Sequence, residues 1–168
     1  SSAEEVAREV GSSDIAYVQV EAVLAQCDLF LNEGAALQEK TQKAQKSWAQ
    51  KEQNLQAEAA QLQEKYQKGL ITTNDAQAQQ QSIEKRVASY QSSAQKEAQA
   101  LDEENYVFTN RAQDLLHRAV QEINGDKKYK LIINATALID ADSTLNITPA
   151  VLAKVNELYA ADKKAVKK

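Results

Sequence analysis

One cysteine, one histidine, one proline, four glycines and no methionine are all that 168 residues supply of these types, and each scarcity closes off a class of protein. The single Cys27 excludes an intrachain disulfide framework and any site built from several cysteines. His117, the only histidine, leaves no pair for a metal and no second base for a triad. So little Gly and Pro argues against a sandwich or barrel of many hairpins, because each hairpin needs its turn residues. No apolar run approaches the length of a membrane span. A basic excess is missing too: 20 Lys and Arg stand against 24 Asp and Glu, which disfavours a nucleic-acid partner. With no glycine-rich phosphate loop either, the expectation is a non-enzyme with no catalytic residues, no metal site and no cofactor.

What fills the chain instead is alanine, glutamine, lysine and glutamate, all good helix formers. Apolar residues still make up 43% and recur at regular spacing, so disorder is the weaker reading. Residues 1–13 read as a flexible polar leader. Asp14–Val20 has largely apolar residues on both of its faces, as in a short strand buried on two sides. Helical spacing follows over Glu21–Leu31. From about Glu33 to Lys68, Trp48, Leu55 and Leu62 recur every seven residues on a thin seam. Trp48 is placed against Tyr106 or Phe108. Lys68–Asn74 interrupts the pattern, with Gly69 as a left-handed helix end and Thr72, Thr73 or Asn74 capping the next helix.

The second run, about Asp75 to Ile123, keeps the three-four alternation through Ile83, Val87, Tyr90, Leu101, Phe108 and Leu115. Asn105 falls on that seam, either fixing register or facing solvent. Two long seams with a short loop predict an antiparallel helical hairpin. After the turn at Asn124–Asp126 come a strand over Tyr129–Asn134 and another over Ala137–Asp140. A last helix is capped by Thr148 with Pro149 in its first turn. The fold class is therefore α+β, mainly α: a discontinuous β-containing body (14–32 plus 124–160), a hairpin arm (33–123) and a frayed tail (161–168). A sheet of three short strands is marginal alone and leaves edges open, so the body is expected to oligomerise.

This order, with IAYVQVEAVLAQC near the start, the Gln/Lys/Glu-rich hairpin, and KLIINATALIDADSTLNITPAVLAKVN near the end, resembles the Skp/OmpH family of periplasmic chaperones over about residues 14–158. The resemblance implies a homotrimer whose barrel-like body is made from strands of all three subunits, through Ile15, Tyr17, Val18, Leu131, Ile132, Ile133, Leu138 and Ile139. It implies helical arms around a cavity that holds unfolded outer-membrane proteins without ATP, in the periplasm of a Gram-negative bacterium after removal of a signal peptide. Transient contact with a membrane surface is a further implied partner. The client contacts would be dispersed apolar groups, Tyr66, Leu70, Ile71, Ile83 and Tyr90, each contributing little so that a bound chain stays mobile. Unlike the strongly basic members of that family, this chain is acidic overall, although residues 34–70 carry six Lys against four Glu. The rival reading is a structural or adaptor coiled coil that docks a folded partner on the hairpin seam.

Overall fold

The computed structural model describes residues 14–167; the expected leader over residues 1–13 and the last residue of the tail lie outside the described residues. The order is β1 (Ile15–Val18), α1 (Val20–Gln26), a π-helical turn (Phe30–Gly34), α2 (Ala35–Gln67), α3 (Thr73–Ile123), β2 (Leu131–Asn134), 3-10 turns at Ala135–Ala137 and Ser143–Leu145, and α4 (Thr148–Val166). The chain is mainly helical with one small sheet, as the composition predicts. It divides into two compact units, residues 36–106 and the flanking segments 14–35 with 107–167.

In the flanking unit β1 and β2 pair in parallel, with Ile15 opposite Leu131, Ala16 opposite Ile132, Tyr17 opposite Ile133 and Val18 opposite Asn134. A parallel pair requires a long crossover, and here that crossover includes α1, α2 and α3. On its other edge β1 receives the Ile147 N–H at the Tyr17 carbonyl, 3.0 Å away. The strand expected over Ala137–Asp140 does not form. Asn134 Oδ1 accepts the Thr136 N–H (3.3 Å) and bends the chain into the first 3-10 turn. Leu138 keeps an extended backbone outside the sheet, and Ile139 stands fully exposed.

The expectation that β1 is buried on both sides holds for one side. Ala16 and Val18 are enclosed by a core that includes Val23, Leu29, Leu115, Ala119, Val151 and Val155, whereas Ile15 is 44% exposed. Cys27 is a buried free thiol in this core, as expected. The helix expected over Glu21–Leu31 breaks at Cys27, whose backbone turns extended. Asn156 of α4 explains the restart, since its Oδ1 accepts the Asp28 N–H at 2.8 Å and satisfies a helix-start donor. Thr148 also differs from its expected role. Its hydroxyl accepts the Gln19 N–H (2.9 Å) and ties the end of β1 to α4, while Asn146 Oδ1 accepts the Thr148 N–H (3.0 Å).

Gly34 closes the π-helical turn in a place with no room for a side chain. A Cβ there would lie 2.7 Å from Phe30 Cδ2 and 2.8 Å from Phe108 Cζ.

In the unit 36–106, α2 and the facing part of α3 run antiparallel. Lys40 pairs with Glu104 (2.8 Å) and Glu58 with Arg86 (2.7 Å), while the Trp48 indole N–H donates to Glu97 Oε2 (2.8 Å). That register places Trp48 level with Glu97, so it does not meet Tyr106, which is exposed. Asn105 is exposed and donates to the Leu101 carbonyl of its own helix at 2.9 Å, which settles its two readings in favour of the solvent-facing one. Gly69 (φ 72) ends α2: its N–H reaches the Tyr66 carbonyl and the Leu70 N–H reaches that of Lys65. Of the three candidate caps, Thr72 serves, its Oγ1 accepting the Asp75 N–H at 3.1 Å.

Replacing Gly34 by Ala is expected to lower the unfolding free energy by about 1–3 kcal/mol through overpacking of Phe30 and Phe108. Urea titration followed by circular dichroism measures it, and an unchanged midpoint would mean that the two rings yield freely.

Candidate functional site

Two apolar surfaces stand out once the elements are in place. The first is the hairpin tip. The Schellman turn at Gly69 directs Leu70 outward, 69% exposed, with Tyr66 one turn before it at 49%; Ile71 is half-buried. Tyr90 is half-buried farther along α3. Ile83 departs from expectation. It is 7% exposed, because its helical phase turns it into the seam toward α2. On one flank the seam opens into a groove of about 550 Å³, floored by Leu55, Ala59, Ile83 and Val87 and rimmed by Glu52, Gln56, Gln80 and Glu84.

The second surface is the outer face of the sheet. Paired residues of a parallel ladder point the same way, so Ile15 with Leu131 and Tyr17 with Ile133 share one face. Ile15 and Leu131 are about half exposed there, and Tyr17 and Ile133 are partly so. Val18 and Ile132, expected on the same oligomerisation surface, face the opposite way into the core. Leu138 is half-buried and Ile139 lies open beyond β2.

The flanking unit is tied by a polar anchor that no local pattern announces. Glu33, on the π-helical turn, accepts two bonds from Arg111 of α3 (2.7 and 3.3 Å) and one from the Tyr159 hydroxyl of α4 (2.6 Å). Tyr159 is buried, and Lys163 lies over its ring. The Arg111 guanidinium is the main cause that holds the Glu33 carboxyl below its ordinary range, opposed by partial burial and helped by the tyrosine hydroxyl. A neighbouring fork joins Arg118 to Asp162 at 2.8 and 3.2 Å. His117 is exposed on α3. Among the described residues no cluster of His, Cys, Asp and Glu could hold a metal, and no helix is long and apolar enough to cross a membrane.

A family model described as outer membrane protein (OmpH-like) matches residues 14–155. The chain belongs to the OmpH-like family. Among solved structures, a Caulobacter crescentus protein proposed as an OmpH-like outer membrane chaperone superposes with a TM-score of 0.70 at 16% identity, covering 87% of this chain and 85% of that one. At that identity the likeness speaks for the fold. No curated protein matches the chain in sequence.

For this OmpH-like chain the residues of the sequence reading separate by location: Tyr66, Leu70, Ile71 and Tyr90 keep some access to solvent, and Ile83 does not. The anchor was not foreseen because Glu33, Arg111 and Tyr159 lie far apart in sequence. Its only advance signal is Glu33 just before a long helix and Tyr159 on the apolar face of the last.

The anchor carries a pH dependence of definite sign. Because the folded-state pKa of Glu33 is depressed, its contribution is present above the ordinary carboxylate pKa and is lost as pH falls through the folded value. Tyr159→Phe, which removes the hydroxyl donor, is expected to cost about 1–2 kcal/mol at neutral pH and much less in acid. Thermal melts of both proteins at a series of pH values from neutral into strong acid measure this; a difference that never narrows would disprove the coupling.

Proposed function

We propose that this OmpH-like chain is an ATP-independent periplasmic holdase that works as a homotrimer. In this reading its hairpins enclose unfolded outer-membrane proteins and keep them from aggregating. The observation that carries the reading is the distribution of exposed apolar groups. Tyr66, Leu70 and Tyr106 stand out on a hairpin whose surface is otherwise mostly Gln, Lys and Glu, and Ile15, Leu31, Val107, Leu131 and Ile139 stand out on the body.

The two surfaces suit different tasks. Dispersed single side chains at a tip hold a partner by many weak contacts, each contributing on the order of 1 kcal/mol or less, so a client exchanges conformations while bound. A sheet face with apolar residues in paired rows suits a permanent mate, since burying it removes contiguous apolar area from water. Assembly through that face places Ile15, Tyr17, Leu131 and Ile133 at the interface, with Leu138 and Ile139 beside it. Family membership supports a chaperone role. Release in this mechanism needs no nucleotide, only a better partner at the outer membrane. Passing contact with the membrane surface remains part of the reading, and nucleic acid does not.

The test is size-exclusion chromatography with in-line light scattering, on the chain alone and mixed with a urea-diluted outer-membrane barrel. A trimer mass that gains one soluble client supports the proposal. A monomer that ignores the client, or a stoichiometric complex formed only with a folded partner, favours the adaptor coiled coil. Two variants separate the surfaces. Leu70→Ser with Ile71→Ser is expected to weaken client retention severalfold at unchanged helicity and mass. Ile133→Asp is expected to dissociate the assembly while the protomer stays helical, because a buried unpaired charge is costly only where the face is covered.

A further inference from the structure

The groove on the hairpin is longer than its first section. A second section of about 330 Å³ continues toward the tip, floored by Leu62 and Ala76 with Tyr66 at its side and rimmed by Gln63 and Gln77. Ala59 and Gln80 line both sections, which makes them one channel along a single flank of the hairpin. From Glu52 to Tyr66 α2 rises roughly 20 Å, the span of about six residues of extended chain. The small side chains Ala59 and Ala76 leave the floor low enough for a chain to approach.

Its rim is chemically specific. Gln56, Gln63 and Gln77 each present a carboxamide with both donors and an acceptor, the complement of an unpaired main-chain N–H and C=O, and Gln80 adds a carboxamide with one donor engaged by Glu84. Charge appears only in the section away from the tip, with Glu52 at its far end and Glu84 level with Ala59, roughly 12 Å away along the axis. No cationic side chain lines either section. Glu84 accepts a bond from Gln80, and neither carboxylate is paired with a cation among the described residues. The opposite flank is different, with Lys51 and a closed Glu58–Arg86 pair.

We infer that this channel binds an extended, unfolded polypeptide segment with apolar side chains on alternate positions and Lys or Arg in the half that runs from Glu84 to Glu52. Alternate side chains of an extended chain fall on one face and reach the Leu55–Leu62 floor, while its main chain meets the glutamine rim and its cations meet Glu84 and Glu52 in turn. The inference rests on the holdase reading and gives it a preference: segments are taken in one direction, basic half away from the tip.

The experiment is fluorescence anisotropy with labelled short peptides that alternate Val or Tyr with Thr and carry two Arg or two Glu in one half. Suppression of barrel aggregation is measured in parallel. Wild type is expected to bind the Arg-bearing peptide about fivefold tighter than the Glu-bearing one, a preference the size of two exposed ion pairs that fades with salt. Glu52→Gln with Glu84→Gln should erase the preference, and Ala59→Phe, which fills the floor, should weaken both peptides. Equal binding of both peptides by wild type, or full binding by Ala59→Phe with helicity intact, would overturn the inference. So would a concentration-dependent rise in mass abolished by Ala59→Phe, which would assign the channel to a second copy of the chain. If aggregation suppression persists under any of these results, the channel assignment falls and the holdase reading stands; loss of suppression in wild type removes the holdase reading itself.

Discussion

The parallel pairing of β1 with β2 is the constraint on which the rest depends. It joins four residues near the start of the chain to four that come more than a hundred positions later. Closing a flexible loop of that size costs about 4 kcal/mol in chain entropy, more than four strand pairs return. The pairing persists because the intervening chain is itself organised and because the core packs on the inner face of the sheet. The Schellman turn at Gly69 and the Thr72 cap fold α2 back on α3, which shortens the loop that the strands must close.

Around that pairing the flanking unit is held by contacts between distant segments. Thr148 reaches the end of β1, Asn156 starts the helix at Asp28, and Tyr159 and Arg111 converge on Glu33. Helix α4 supplies three of these partners and much of the apolar core. That helix thus serves both packing and polar closure, and Gly34 keeps the adjacent π-helical turn close to Phe108. The unit 36–106 has a different economy of contacts. Its seam buries Ala44, Leu62, Ile83 and Leu101 in a thin line, with single ion pairs spaced along it. Few tertiary contacts per turn make local opening cheap, a property that suits the proposed capture of unfolded chains.

Much of this was legible in the sequence for a physical reason: long helices are specified by spacing within one segment. Trp48, Leu55 and Leu62 announce α2, and Gly69 with Thr72 announces the turn, because caps act through backbone groups only a few residues away. Ile83 shows the limit. Its spacing marks an apolar position on α3, but whether such a position zips the hairpin or meets a partner depends on the rotation of one helix against the other. Trp48 was misplaced for the same reason, since the register of two antiparallel helices is set by which pairs meet, here Lys40 with Glu104 and Glu58 with Arg86.

By itself the sequence determined the helical class, the hairpin and its turn, the burial of Cys27 and the family to which the chain belongs. Only the tertiary structure decided that Ala137–Asp140 forms no strand, that the sheet buries Val18 and Ile132 but leaves Ile15 and Leu131 open, and that Glu33 gathers Arg111 and Tyr159. Spacing encodes which face of an element is apolar. It carries no information about which distant segment will cover that face, and a side-chain turn as local as Asn134 to Thr136 can end a strand that apolar composition alone would extend.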